Sequence, residues 1–515
     1  MDPQSLRPRI ITGDCIAWFA SGGPWRIARI WSLLVCGFLC VSLPCLADDS
    51  SAVSLRAKQP FRVRIDAYHA HTWIETLPRP GLTDYHLLYG PARAVAALEA
   101  MGFESETQIG PWTEADLRET DLVIINLPSA DRPPFLVSEI EALINYLREG
   151  GGVVIITDHT NCYFHNHVLG SLFHELGLQL TSDLVCERSP FALPDGNAWI
   201  NIESFSDHPV VRGLRNVGYL SGGSVDERFA IAWSSPKSWA DEARIPAYGE
   251  GVAPGLTGDF KQQPAERVGP LAVIAAKEIG QGRVVVVGDQ NCIGGAFLNF
   301  ADNRQLWLQS CLWAMSSKQD RLQENEFLQH GLAAEKDRTL IWCLEPLRDH
   351  EYYWSNGRDD ALFNAFVFLN KHADARGTDR PLLDASWMIV PDVKLLGIAR
   401  WREMVRVFAE QPDRHVLVLG EEEGEVTMAE WSAWVGALAG DRASPAIDTT
   451  YRMPSGSLVH WTRRRGDWTN RSMPGPSEAR NEGDERDDNA KLQWMHDLGL
   501  RRVPSVNEQV PWPVD

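Results

Sequence analysis

The sequence lacks the short cysteine and histidine signatures that would identify its chemistry directly. Its 515 residues include only nine cysteines, and no two of them form a Cys-x-x-Cys pair. That absence excludes the common zinc-finger and thioredoxin-type classes. No His-Glu-x-x-His motif occurs, so the metal-binding helix of the zinc proteases is absent as well.

Positive charge is also in short supply. The chain has 49 lysines and arginines against 69 aspartates and glutamates, which gives a formal net charge of -20. A field of this sign repels the phosphate backbone of DNA and RNA. Nucleic acid is therefore not an expected partner.

A hydrophobic run long enough to span a membrane is missing near the N-terminus. The apolar segment at residues 30–43 is shorter than the roughly 20 residues that a spanning helix needs. It follows Arg26 and Arg29 and precedes a small-residue site that ends at Ala47. This order predicts a signal peptide and an exported protein, periplasmic or extracellular. The alternative is that the segment stays uncleaved and anchors the chain in a membrane.

Strand-like and helix-like segments alternate through the middle of the chain. Residues 121–127 (DLVIINL) and 153–157 (VVIIT) are continuous apolar runs, typical of strands that are buried on both faces. Residues 137–148 lie between them and have helical spacing. The alternation predicts parallel βαβ units. We therefore predict an α/β fold, a flavodoxin-like doubly wound parallel sheet, followed by a second, smaller α/β domain.

Changes in composition predict where these parts begin and end. The last part is polar and has no hydrophobic periodicity, which is typical of disorder. The predicted parts are a signal peptide at 1–47, a linker at 48–60, a first domain at 61–317, a linker helix at 318–337, a second α/β domain at 338–463 and a largely disordered tail at 464–515.

Four segments of the first domain match a known pattern. They are DLVIINLPS at 121–129, GGVVIITDHTN at 151–161, SDHPVVRGL at 206–214 and GQGRVVVVGDQN at 280–291. On these segments about half the chain resembles the class I glutamine-amidotransferase-like superfamily. It is similar to the non-amidotransferase branches: trehalose-utilisation-like proteins and envelope proteins related to gliding-motility auxiliary proteins. The resemblance implies the flavodoxin-like fold and says little about function.

The catalytic residues that the resemblance would imply are missing. Active members carry a cysteine on a sharp strand-to-helix elbow between glycines, which permit the strained backbone. The equivalent residues 156–160 read ITDHT, with no cysteine and no flanking glycine. The His-x-Glu pair of the superfamily is replaced by GDQN at 288–291. Glutaminase activity is therefore not expected.

Polar side chains follow three of the predicted strands. Ligands of open parallel sheets bind at the carboxyl ends of the strands, and these ends meet at one edge. We therefore expect these side chains to lie close together. The predicted roles are catalytic for Asp158, His159 and Asp289, ligand-binding for His69, His71, Asn161, Cys162 and Asn291, and metal-ligating for His69, His71 and His159.

Three chemical interpretations of this set remain open. Imidazole and carboxylate groups suit a divalent transition metal such as Zn, Fe or Ni, which can activate water. Alternatively, His159 acts as a general base that Asp158 or Asp289 orients. The third interpretation is structural: Asp158 is a helix N-cap, and His69 satisfies buried backbone groups.

These interpretations give three hypotheses for function. The first is an exported envelope protein whose catalytically altered domain binds a small polar or carbohydrate ligand; the 20 tryptophans include side chains of the kind that stack on sugars. The second is a metal-dependent hydrolase that uses the Asp/His cluster. The third is a non-catalytic scaffold. The sequence indicates no particular protein partner.

Overall fold

The computed structural model describes residues 59–70, 90–188, 197–242, 258–294, 297–336, 341–344, 376–378, 384–390, 393–420 and 449–463. The predicted signal peptide, His71 and the predicted tail lie outside these residues. Helical spacing in the sequence also predicts helices at 361–372 and 428–439, and these two segments lie outside the described residues as well. No helix within them is long and apolar enough to cross a membrane.

The first domain is built on an eight-stranded sheet. Its strand order is β2-β1-β3-β4-β12-β11-β9-β7. The first five strands of that order are parallel to one another, and the three remaining pairings, β12–β11, β11–β9 and β9–β7, are each antiparallel. The strands are β1 (Phe61–Asp66), β2 (Phe103–Gln108), β3 (Leu122–Asn126), β4 (Gly152–Ile156), β7 (Ser204–Phe205), β9 (Ala230–Trp233), β11 (Ala272–Ile279) and β12 (Gly282–Val287).

Helices cover both faces of this sheet, as in a doubly wound fold. Along β3, Leu122 and Ile124 belong to one apolar core, whereas Val123 and Ile125 belong to the other. Helices α1 and α5 pack in the first core and α3 and α4 in the second. The helices are α1 (Ala92–Ala100), α2 (Glu114–Arg118), α3 (Val137–Arg148), α4 (His165–Leu176), α5 (Asn303–Ala314), α6 (Gln319–Glu324) and α7 (Glu326–Lys336).

The register of the parallel strands aligns their carboxyl ends. Asn126 of β3 lies beside Ile156 of β4, and Ile156 lies beside Val287 of β12. The residues that follow these three positions therefore emerge at the same edge of the sheet. This alignment brings the segments with the predicted site residues Asp158 and Asp289 together.

The stretch from residue 181 to 270 is more regular than its sequence suggests. It contributes β7 and β9 to the main sheet and also forms two small two-stranded sheets. These short strands have no clear alternation of polar and apolar residues, which is why periodicity does not predict them. The small sheets pair β5 (Asp183–Glu187) with β10 (Ser238–Glu242) and β6 (Trp199–Ile202) with β8 (Val217–Leu220).

The segment after the first sheet folds against it. Helices α6 and α7 meet at Asn325, and Leu328 of α7 is buried in the first domain's core. Lys318 and Arg321 both form ion pairs with the buried Asp121. A Cβ on Gly331 would lie 2.3 Å from Met101 Cα, so the approach of α7 to that backbone requires glycine.

A second sheet confirms the second, smaller α/β unit. Its strand order is β14-β13-β15-β16-β18-β17, with only the β17–β18 pair antiparallel. Helix α8 (Ala399–Ala409) packs Trp401 and Phe408 into its core. The strands are β13 (Ile341–Leu344), β14 (Arg376–Thr378), β15 (Trp387–Val390), β16 (His415–Gly420), β17 (Thr449–Arg452) and β18 (Leu458–Arg463).

Candidate functional site

The backbone turns sharply between β4 and α4. Thr160, Asn161, Tyr163 and Phe164 have φ angles of 43°, 56°, 54° and 58°. Each side-chain-bearing residue in this left-handed region costs about 1–2 kcal/mol, and such backbone persists only where the surroundings enforce it. The chain therefore keeps a strained elbow at this position although it lacks the glycines that usually permit one.

The elbow gathers three side chains, which we call the β4 cluster: Asp158, His159 and Cys162. One ligand atom from each, a carboxylate oxygen, an imidazole nitrogen and the thiol sulfur, lies within 4.8 Å of the other two. All three residues are buried. The His159 backbone N–H donates to Asp158 Oδ1 at 2.8 Å, and His159 Nδ1 lies 2.6 Å from Thr160 Oγ1. Asp158 is thus an N-cap, as one interpretation of the sequence expected.

Asp289 lies close to this cluster at the end of β12. It is fully buried, and its carboxylate accepts from the backbone N–H groups of Leu220 (2.5 Å) and Asn291 (2.8 Å). Burial raises the pKa of Asp289 to about 7. The pKa of Asp158 is raised well above its usual range, first by burial and then by the charge of Asp289.

Gly222 and Gly223 bring a loop close to both acids. A Cβ on Gly222 would lie 2.6 Å from Asp289 Cβ, and a Cβ on Gly223 would lie 3.1 Å from the carbonyl oxygen of Asp158. The Tyr219 hydroxyl also donates to the carbonyl of Gly223. The two glycines therefore serve close packing between the ends of β4 and β12.

The two predicted ligand-binding asparagines make structural hydrogen bonds. Asn161 Oδ1 accepts from the backbone N–H of Asn166 at 2.8 Å, in the first turn of α4. Asn291 Nδ2 donates to the carbonyl of Leu220 at 2.8 Å. These bonds fix the loops around the site, and the ligand-binding roles of both residues stay predictions.

His69 belongs to a separate group, the β1 cluster: Asp66, His69 and Glu139. His69 Nδ1 lies 2.8 Å from Asp66 Oδ2, and Nε2 lies 3.5 Å from Glu139 Oε1. Its ring stacks on Phe135 with the centroids 3.8 Å apart. The three members of the cluster are at most 1% exposed. In the described residues, the ligand atoms grouped around His159 come from Asp158 and Cys162 and do not include those of His69.

Backbone amides satisfy the carboxylates of the β1 cluster. Glu139 accepts from the backbone N–H groups of Trp112 and Leu136, each at 2.7 Å. Asp66 Oδ1 accepts from the backbone N–H groups of Tyr68 and His69, each at 3.0 Å. The cluster thus ties the end of β1 to the start of α3.

Sequence reasoning missed Asn126, the last residue of β3. It is 1% exposed, and neither its amide oxygen nor its amide nitrogen has a hydrogen-bond partner. By the alternation of β3 it follows Leu122 and Ile124 onto the face that α1 and α5 cover. The sequence does show a polar residue at the end of the apolar run that forms β3. That its amide has no hydrogen-bond partner can be seen only in the folded structure.

Asp302 stands at the N-cap position of α5, where aspartate is a common capping residue, but its side chain makes no capping bond. The carboxylate instead accepts from the backbone N–H groups of Arg215 (2.6 Å) and Asn216 (3.0 Å). The carboxylate of Asp302 thus bonds to backbone groups that are distant in the sequence and not to the first turn of α5.

Comparisons with known proteins give weak similarities only. No known family and no curated protein matches the sequence. The mmIFT52 N-terminal domain is 15% identical at a TM-score of 0.35, over 49% of this chain and 97% of that one. A ThuA-like protein from Bacteroides uniformis is 15% identical at a TM-score of 0.29, over 51% and 94%. A GMP synthase component from Thermoplasma acidophilum is 7% identical at 0.25, over 52% and 98%. At these values the similarities carry no argument about function.

Proposed function

We propose that the first domain is an amidotransferase-like domain of an exported envelope protein, and that it binds a small polar ligand without glutaminase activity. The ligand class that we favour is a carbohydrate. The observation that carries the proposal is Asn126, a buried amide with two unpartnered atoms at the carboxyl end of a central strand. Sheets of this kind bind their ligands at these strand ends.

The free-energy cost of burying an unpartnered amide is the first support for this proposal. A buried polar group without a partner costs about 1–3 kcal/mol, and native proteins keep few of them. A leucine of similar size would avoid this cost at Asn126. A ligand that hydrogen-bonds to the amide offsets the cost when it binds and accounts for the residue.

The chemistry of the amide is the second support. The side chain of Asn126 presents an acceptor oxygen beside an N–H₂ donor. Neighbouring hydroxyls of a sugar each donate and accept, so they pair with both atoms at once. Further polar groups, the β4 cluster and Asp289, end adjacent strands at this edge.

The residue that stands at the elbow is the third support. The elbow after β4 is strained, but the residue that leaves the strand there is Asp158, and burial raises its pKa. Cys162 lies four residues further along, inside the 3-10 segment His159–Phe164 that precedes α4. The site thus keeps the shape of an elbow and presents a carboxyl group where the superfamily presents a thiol.

The experiment is a glycan screen with the full chain, followed by calorimetry on any sugar that binds. We expect Asn126→Leu to weaken binding by at least about 10-fold, because it removes both hydrogen-bonding atoms. The matched control is Asn201→Leu, a buried asparagine of β6 whose Nδ2 also lacks a partner. A screen without any binding sugar, or equal affinity in Asn126→Leu and the parent protein, would overturn the carbohydrate proposal.

The export part of the proposal has a separate test. Residues 1–60 fused to a reporter enzyme that is active only outside the cytoplasm should give reporter activity in a bacterial host. Replacing Leu33 and Leu34 by aspartate interrupts the apolar segment and should abolish that activity. Activity that is absent from the parent fusion would contradict export.

A further inference from the structure

We infer that the β4 cluster is a divalent transition-metal site of the zinc type, with Asp158, His159 and Cys162 as its three protein ligands. The inference goes beyond the binding of a polar ligand and does not depend on it. It starts from the mutual distances of the three ligand atoms, all within 4.8 Å. Ligands at about 2.0–2.3 Å around a tetrahedral zinc ion lie roughly 3.3–3.8 Å apart. The observed spacing exceeds this by about 1.5 Å at most, which rotation of the three side chains can close.

The donor set selects the class of metal. One carboxylate oxygen, one imidazole nitrogen and one thiolate sulfur form a mixed set that suits zinc and its neighbours among the transition metals. Magnesium and calcium prefer sites made of oxygen atoms alone. The sulfur of Cys162 therefore argues for the softer ions.

The surroundings of His159 fit a metal ligand. In the tautomer with the proton on Nδ1, this atom donates to Thr160 Oγ1 at 2.6 Å, and Nε2 is the nitrogen that would ligate the metal. Metal-ligating histidines typically hold their second nitrogen in such a hydrogen bond. A Cys–His–Asp triad would place the carboxylate on Nδ1, whereas Asp158 accepts from the His159 backbone N–H. The geometry thus favours a metal over a thiol nucleophile.

The charge around the cluster also favours a cation. Asp158 and Asp289 place two acidic groups in a buried region at the ends of adjacent strands. A divalent ion beside Asp158 would stabilise the ionised forms of both acids. Three protein ligands leave a fourth position for water or a substrate, which is typical of catalytic zinc sites.

The structure separates this set from the one that the sequence predicted. His69 and His159 were expected to share a metal with His71, but His69 Nδ1 is held by Asp66 at 2.8 Å. Cys162 and Asp158 lie within four residues of His159 and reach it through the strained elbow. The inferred site is therefore local to one loop.

The experiment is a titration of the metal-free full chain with Co²⁺ and then Zn²⁺. We expect one equivalent of Co²⁺ to give the visible bands of a tetrahedral ion and a sulfur-to-cobalt charge-transfer band, and Zn²⁺ to displace it. Cys162→Ser should lose the charge-transfer band, and His159→Ala should weaken binding by more than about 10-fold. Cys186→Ser, a buried cysteine of β5, and His174→Ala, an exposed histidine of α4, are the controls and should bind as the parent does.

X-ray absorption of the zinc-loaded parent protein makes the test independent of how the variants fold. We expect one sulfur in the first coordination shell. A parent protein that binds no stoichiometric metal, a shell without sulfur, or unchanged binding in His159→Ala would each overturn the inference. Asn126→Leu should keep the metal, so a failed glycan screen with a bound metal would count against the ligand proposal alone.

Discussion

The β1 and β4 clusters contain similar residues at the same edge of the same sheet, but their surroundings differ. In the β1 cluster, four backbone N–H groups satisfy the carboxylates of Asp66 and Glu139. His69 lies between these two acids, with Nδ1 paired to Asp66 and Nε2 3.5 Å from Glu139 without a hydrogen bond. The β4 cluster stands on left-handed backbone, and its three ligand atoms face one another. The comparison indicates that the first group ties elements of the fold together, and it supports our inference that the second binds a metal ion.

The largest effect that would sharpen this comparison is expected for Glu139→Ala. The change removes two hydrogen bonds to backbone N–H groups and leaves His69 with a single acid, so the free energy of unfolding should fall by about 3–5 kcal/mol. Denaturant unfolding measures it. Glu141→Ala, an exposed position of the same helix, should change it by less than about 0.5 kcal/mol. If the free energy of unfolding falls by less than about 1 kcal/mol in Glu139→Ala, the β1 cluster does not have the structural role that we assign to it.

The second expected effect is a pH dependence of the free energy of unfolding, which comes from Asp289 beside the β4 cluster. The pKa of Asp289 is about 7 in the folded protein, against about 3.9 in an unfolded chain. Between these values the folded state holds a proton that the unfolded state releases. The free energy of unfolding should therefore fall as pH rises through this window and level off above it. The upper bound is on the order of 4 kcal/mol, since one pKa unit is worth about 1.4 kcal/mol.

Denaturant unfolding of the metal-free protein between about pH 4 and pH 8 measures this dependence. Asp289→Asn should reduce the slope. A part of it should remain, because the pKa of Asp158 is also raised. A slope that is identical in Asp289→Asn and the parent would show that Asp289 does not titrate in this window.

A third, smaller effect concerns Thr160. Its hydroxyl contacts Nδ1 of His159, whereas Nδ1 of His69 is bonded to the carboxylate of Asp66. Thr160→Val keeps the shape of the side chain and removes the hydroxyl that holds His159 Nδ1. The affinity for Zn²⁺ should fall by about 10- to 100-fold, as is usual when such a supporting bond is lost. Competition with a chromogenic chelator measures it. Thr120→Val, whose hydroxyl donates to Asp116 on the remote α2, should bind zinc as the parent does.

The smallest effect is a gain in stability at Asn126. Asn126→Leu removes two buried polar atoms without partners, so the free energy of unfolding should rise by about 1 kcal/mol. Thermal and denaturant unfolding measure it. A decrease would mean that the amide of Asn126 already has a compensating interaction in the ligand-free protein.

The fold was largely predictable, because buried strands and amphipathic helices carry their periodicity locally. The helix Val137–Arg148 has the predicted bounds. The strands between residues 181 and 270 were not predicted, since short strands take their stability from partners that are distant in the sequence.

The candidate site was predictable in position more than in detail. Strand ends correctly indicated that Asp158 and Asp289 lie near each other. The separation of His69 from His159 depends on the strand order, in which β3 lies between β1 and β4. The unpartnered state of Asn126 depends on its neighbours in the fold. These are tertiary properties that one sequence does not carry in any local pattern.

The burial of Leu328 and the close approach of Gly331 to Met101 have a practical consequence for dividing the chain. A fragment that ends at Ser317 would leave uncovered the core surface on which α7 packs, and would also remove the two cations that neutralise Asp121. The shortest fragment of the first unit that keeps its own interior should therefore extend through Lys336. Helices α6 and α7 are then an integral part of the first domain, although their charged sequence predicts only a linker between the two domains.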